Sequence, residues 1–280
     1  MKQARQQRGF TIVETLIVLA VTGLLFVIAA IAVSGEQGRA EFHQAINDVQ
    51  SEIQQTIDQV AAGDYQNTGN FTCKVGASGN LDIQPPGAGG SDQGSNTGCI
   101  FLGKVLQFDV KSNPQEYIAY PIAGLQEDGN GNQVTTLAAA TPTAIAPGTT
   151  SANSSIPDAS VPGTLDNGLT VVSMTGGGNN IGAVAFISSL GSYGTGGNLL
   201  SGSQQIDVYP VNRSAPPQRS VDAVDAIDSN LKSEGSQENP NGGVQICFAS
   251  GSTDQSGLIT IGSNGSNLAV TLQIKNGRNC

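Results

Sequence analysis

From Phe10 to Val33 the chain runs for 24 residues with a single charged side chain, Glu14. As a helix rising about 1.5 Å per residue, this run spans about 36 Å, enough to cross the roughly 30 Å hydrocarbon core of a bilayer with some tilt. Nine polar residues precede it and carry Lys2, Arg5 and Arg8. Basic residues on that flank hold the N-terminus on the cytoplasmic side and send the rest of the chain outward. A secretory signal peptide has an apolar region of about 7–15 residues ending in a small-x-small cleavage site. This run is longer, and amphipathic sequence continues directly from it. A plain signal anchor would fit the length and leave Glu14 unexplained. A carboxylate at that depth costs about 2.5–3.5 kcal/mol on insertion scales and persists by default because it has a partner.

The segment Arg8-Gly9-Phe10-Thr11-Ile12-Val13-Glu14-Thr15-Leu16-Ile17-Val18 resembles the class III signal of type IV pilins and of the pseudopilins of type II secretion. The resemblance implies cleavage between Gly9 and Phe10 by a membrane aspartyl peptidase and methylation of the new amino terminus. It also implies a role for Glu14, the acidic residue at the family's position, in neutralising the Phe10 ammonium of a neighbouring subunit. That pairing is far stronger in low dielectric than at a surface. Many type IV pilins carry a helix-breaking Pro late in this segment, whereas the first Pro here is Pro85. Gly23 and Ser34-Gly35 are then its weak points.

From Glu36 to Ala62 the pattern becomes amphipathic. Phe42, Ile46, Val49, Ile53 and Val60 recur at steps of three and four residues, with Thr56-Ile57 filling the gap. Glu41, Asp48, Glu52 and Asp58 lie off that stripe, which is expected to pack on the chain's own folded domain. Gly63 is a natural stop, because glycine takes the left-handed cap conformation without penalty. The expected organisation is a leader at 1–9, a membrane or filament-core helix at 10–35 and an amphipathic helix at 36–62. A β-rich domain at 63–280 follows, with low-complexity loops at 63–98 and 138–167. The expected class is α+β: one long helix, half membrane-spanning and half amphipathic, packed on an antiparallel sheet in the pilin lollipop shape.

Composition narrows the function. Charged residues make up 12% of the chain, against roughly 25% in average globular proteins. With 37 Gly and no Trp, this suits an exported surface protein with a modest core of Val, Ile and Leu. Removing the leader takes three of the twelve basic side chains, leaving nine against 22 acidic ones and a net charge of −13. Such a domain repels phosphate backbones, which disfavours direct nucleic-acid binding.

The four cysteines are Cys73, Cys99, Cys247 and Cys280, with no C-x-x-C pair and one histidine, His43. Structural zinc needs four clustered ligands, so disulfides in an oxidising compartment are the expectation and no metal or cofactor is expected. Nearest-neighbour pairing gives Cys73–Cys99 and Cys247–Cys280, although four cysteines permit three connectivities. Family resemblance supports the second pair, since many pilins close their C-terminal region with a disulfide.

Strands are expected at 100–110, 116–122, 132–137, 169–174, 181–188 and 205–211, with an acidic polar stretch through 212–242. Leu268, Val270, Leu272 and Ile274 alternate strictly, after Leu258-Ile-Thr-Ile261. Asn264-Gly265 suits a type I′ two-residue turn, which would pair Ile261 with Leu268 and Ile259 with Val270. Residues 243–249 form the preceding strand, with Cys247 facing opposite to Ile246 and Phe248.

No nucleophile–base constellation is visible, because any triad would need His43 on the membrane-proximal helix; the chain is not expected to be an enzyme. The loop Glu127-Asp-Gly-Asn-Gly-Asn132 is the best calcium candidate, yet it lacks the glycine and closing glutamate of the EF-hand pattern and reads as a solvated turn. The resemblance implies a structural subunit of a pilus or pseudopilus. Its partners would be copies of itself or other pilins, prepilin peptidase, the assembly machinery, and membrane lipid before assembly. It would start in the inner membrane, with the C-terminal domain outside, and end in an extracellular pilus or envelope-spanning pseudopilus. The alternatives are a minor tip subunit acting in binding or adhesion, and a type II secretion pseudopilin.

Overall fold

The structure, a computed structural model, describes residues 11–63, 72–75, 81–84, 99–108, 115–128, 130–146, 159–188, 206–212, 221–233, 240, 242–264 and 267–280. Helix α1 runs unbroken from Ile12 to Ala62, 51 residues. Thr11 caps it, accepting the Glu14 N–H on Oγ1 at 3.3 Å, which satisfies one of the orphan donors of a first turn. The backbone passes through Gly23 and Ser34-Gly35 as continuous helix. It stops where the sequence says it should: Gly63 has φ 66° and its N–H bonds back to the carbonyls of Gln59 and Val60.

Among the described residues twelve strands follow, all paired antiparallel. Strands β1 (Thr72–Val75) and β2 (Leu81–Gln84) make a separate hairpin. The main sheet uses β3 (Cys99–Gln107), β4 (Glu116–Leu125), β5 (Thr143–Ala144), β6 (Val161–Thr164), β7 (Leu169–Gly176) and β8 (Asn179–Ser188). It is completed by β9 (Ile206–Asn212), β10 (Val244–Ser250), β11 (Gln255–Asn264) and β12 (Asn267–Asn276), and a second helix, α2, spans Val221–Lys232. Its order is β12-β11-β10-β7-β8-β3-β4-β5, with β6 also on β4 and β9 on β8. β7 and β8 share only the pairs Thr175–Asn180 and Gly176–Asn179. Beyond that point β8 pairs with β9 instead, so the sheet splits into two wings.

Both wings pack on α1. Phe42, Ile46, Val49, Ile53, Ile57 and Val60 are buried against Leu106, Val184, Phe186 and Val208 of one wing and against Val244, Ile246, Phe248, Ile259 and Ile261 of the other. Each large apolar side chain removed from water there stabilises by about 1.5–3 kcal/mol. β11 comes so close that a Cβ on Gly257 would stand 2.7 Å from Ile46 Cγ1. The β3/β4/β8/β9 wing has a second core on its far face, where Ala183, Ala185, Ile187, Tyr209 and Val211 meet Leu81, Ile83, Ile227 and Leu231. β8 therefore alternates between two apolar faces, which is why it reads as a continuous apolar run. In β3 a bulge at Leu102 reverses the alternation. Phe101 packs towards α1 and Leu102 away from it, whereas beyond the bulge Val105 faces away and Leu106 faces α1.

This is the α+β arrangement that the resemblance implied: a long N-terminal apolar helix followed by an antiparallel β-sheet domain. Several local expectations need correction. Residues 132–137 form no strand but a single bridge, Glu127–Gln133, and a turn. The polar stretch at 212–242 contains α2, whose Asp228 is buried and accepts the Ala144 N–H at 2.8 Å. The segments taken as low-complexity loops contain β1, β2, β5 and β6, and Leu81, Ile83, Ala144, Ile145 and Leu165 are buried. In the C-terminal hairpin Ile261 pairs with Val270 and Ile259 with Leu272. Asn264 pairs with Asn267, so the register lies one residue beyond the one that an Asn264-Gly265 turn would set. That slip moves partners by two positions and leaves every side chain on the same face, so alternation alone could not detect it.

Truncating the stripe where β11 presses on it, Ile46→Ala, is expected to destabilise the protein by about 2–5 kcal/mol. Val172→Ala, at a position 47% exposed on β7, should change stability by about 0.5 kcal/mol or less. Denaturant unfolding of the solubilised full chain distinguishes the two.

Candidate functional site

The first half of α1 is exposed along its described side chains. Its large apolar side chains are exposed from Ile12, at 80%, through Leu19, Leu24, Leu25 and Phe26, at 76%, to Ile31. They point in every direction around the axis, the pattern of a helix meant to be surrounded by apolar material. Among the described residues, α1 is the one helix long and apolar enough to cross a membrane. Its polar side chains are turned inward. Thr15 donates to the Ile12 carbonyl at 2.8 Å, and Thr22 to the Val18 carbonyl at 2.8 Å. Such back-bonding satisfies hydroxyls without water.

Glu14 is the exception. It sits in the first turn of α1, where the helix dipole favours a negative charge. Its backbone N–H is capped by Thr11, and among the described residues nothing bonds its carboxylate. Gly9 and Phe10 lie outside the described residues.

With this geometry in place, comparison with known proteins gives one match. The family model of the prokaryotic N-terminal methylation motif matches residues 4–30. The chain carries the class III signal of type IV pilins and pseudopilins. No curated protein and no solved structure gives a significant match. The matched residues include Gly9, Phe10 and Glu14 and end inside the exposed half of α1.

The remaining sequence candidates fall elsewhere. Cys247 on β10 is bonded to Cys280, with Cα atoms 5.8 Å apart. A bridge over a separation of 33 residues stabilises by about 3–4 kcal/mol in the chain-entropy model. Cys73 lies on β1 and Cys99 opens β3; their side chains are outside the described residues. His43 is exposed on α1, edge-on to Phe42 with ring centroids 6.1 Å apart. In the acidic loop, Asp128 accepts the N–H groups of Asn130 and Asn132, each at 2.8 Å, and the Asn132 side-chain amide at 3.0 Å. Those bonds hold its carboxyl below the usual range. The loop is a self-satisfied turn, and among the described residues no group of three His, Cys, Asp or Glu is placed to hold a metal ion.

Sequence reasoning passed over a polar seam between α1 and the sheet. Lys104, whose neighbours in β3 are apolar, is buried facing α1, and its ammonium donates to Gln59 Oε1. A cavity of about 120 Å³ adjoins it, lined by Glu52, Gln55, Gln59, Lys104 and Val161 among others. Nearby, Tyr117 of β4 is pushed up from 10.0 to about 12, first by burial and then by the charge of Glu52 and a hydrogen bond to it. A lone lysine within an apolar strand was the available signal.

For Tyr117 the sign is fixed by which form the fold favours. The folded pKa is raised, so the neutral phenol's contribution is complete below pH 10 and is lost as pH rises towards 12. Tyr117→Phe is expected to flatten the stability loss across that window, read from denaturant midpoints at successive pH values. An unchanged alkaline slope would contradict the assignment.

Proposed function

We propose that this chain is a non-enzymatic structural subunit of a type IV pilus or pseudopilus. Prepilin peptidase cuts between Gly9 and Phe10 and methylates the new terminus, and the subunit then assembles with copies of itself or other pilins through α1. The observation that carries the reading is the exposed first half of α1, apolar on all sides and bearing one carboxylate that nothing among the described residues bonds. Water does not stabilise such a surface. Lipid covers it before assembly, and neighbouring helices cover it afterwards. Before cleavage the subunit sits in the inner membrane, with its β-sheet domain outside.

In this scheme processing and assembly are coupled by charge. Cleavage creates an ammonium at Phe10, and Glu14 of an adjacent subunit neutralises it in surroundings where an unpaired ion is costly. A helix register error of one residue would separate the pair, so the same contact sets stagger.

Mass spectrometry of surface-sheared material should find Phe10 as an N-methylated terminus; an intact Met1 or a cut beyond Val33 would contradict the reading. Glu14→Val should insert into membranes normally and reduce filament yield by about tenfold or more, as expected for loss of a low-dielectric ion pair. Normal filament yield from that variant would show the pair to be dispensable. The same material tests Cys73–Cys99 pairing, which should appear as one cross-linked peptide under non-reducing digestion.

A further inference from the structure

Where α1 leaves the sheet domain, a chain of polar contacts closes around it. Asn167 lies in the turn Asp166–Leu169 with φ 54°, followed by Gly168 at φ 68°, the left-handed pair of a type I′ turn. Its side-chain amide donates to the Glu41 carbonyl on α1 at 3.3 Å. The Asn167 carbonyl accepts from Ser250 Oγ at 3.2 Å, and Ser250 shares a 2.8 Å hydroxyl contact with Ser252. The Ser252 carbonyl stands so near the helix that a Cβ added to Gly38 would lie 3.2 Å from it. Gly38 therefore marks the point where the domain first grips α1, four residues before the fully buried Phe42.

The C-terminal tail braces this grip from outside. Gly277 N–H donates to the Asp254 carbonyl, in the same β10–β11 turn as Ser252. Arg278 Nε lies 3.5 Å from the Asp254 carboxylate. Two residues beyond Arg278, Cys280 is bonded to Cys247 of β10. One covalent link thus holds the tail, the tail holds the 251–254 turn, and the turn and Asn167 hold the helix.

We infer that the Cys247–Cys280 disulfide is a redox-sensitive clamp on the exit of α1 from the domain. Oxidised, it fixes the 251–254 turn against Gly38 and so fixes the direction in which the exposed half of the helix leaves. A dithiol reductant supplies two electrons and two protons, becomes a disulfide itself and leaves Cys247 and Cys280 as thiols. Cys247 is buried and Cys280 exposed, so the bond is open to attack from the tail side. Reduction frees the tail and loosens the turn, while the apolar stripe from Phe42 to Val60 and the ten-pair β11–β12 ladder stay in place. The clamp acts within one chain and does not depend on the filament reading.

Hydrogen exchange of the full chain in detergent micelles, oxidised against dithiothreitol-reduced and alkylated, tests this. Backbone amides of residues 38–45 should exchange about tenfold faster or more after reduction, as for a local opening, with those of residues 53–60 unchanged. Asn167→Gly keeps the positive-φ turn and removes only the amide donor; with the disulfide intact it should loosen the same amides. Unchanged exchange at 38–45, in the reduced protein or in that variant, would overturn the inference. So would a uniform loss of protection through α1 and β8, which would make the bond a staple of the whole domain.

Discussion

Phe42, Ile46, Val49, Ile53, Ile57 and Val60 form one buried stripe along the second half of α1, and strands from both wings of the sheet converge on it. The wings share only two residue pairs at the β7–β8 turn. The helix they both cover joins them further, along with the edge-to-face contact of Phe108 and Phe248. Gly257 shows how tight that contact is, since a single added carbon would collide with Ile46. The sheet is therefore organised by the helix as much as the helix is held by the sheet.

That seating divides α1 between two environments. From Phe42 onward its apolar side chains are buried on one stripe, and the opposite face carries Asp48, Asp58 and exposed amides. Up to Ile31 the helix is bare and apolar apart from Glu14, Thr15 and Thr22. A continuous backbone links the halves, so whatever surrounds the first half is rigidly connected to the domain. The N-terminal methylation signal lies on the bare half. In the reading proposed above, the surface that enters an assembly is thereby separated in space from the sheet domain.

How much of this was legible follows from periodicity. The stripe on α1 and the alternation of β12 each repeat over enough residues to be unambiguous, and the stripe ends at a glycine suited to a left-handed cap. α2 also had a signal: Val221, Val224, Ile227 and Leu231 recur at helical spacing, hidden among acidic and polar neighbours. The low-complexity segments misled because Ala144, Ala146 and Ala159 look like linker residues but are buried in the second core. Small side chains carry little hydrophobic signal, so their burial is decided by what packs on them. The bulge at Leu102 reverses facing within one strand, which no fixed period can anticipate. Of the candidate site, Glu14 and its apolar setting were readable from composition, whereas the collar around Gly38 depends on Asn167, Ser252 and the tail meeting from distant parts of the chain.

The central claim is that neighbouring helices cover the bare half of α1 in the assembled state. Cysteine accessibility tests it most directly, using Phe26→Cys on that half and Val172→Cys on the exposed sheet face, in sheared filaments and in detergent-dispersed subunits. A bulky, charged maleimide should label the Val172 variant in filaments and leave the Phe26 variant unlabelled until the filaments are dissociated. Labelling of the Phe26 variant in intact filaments, at the rate seen for Val172, would contradict the account.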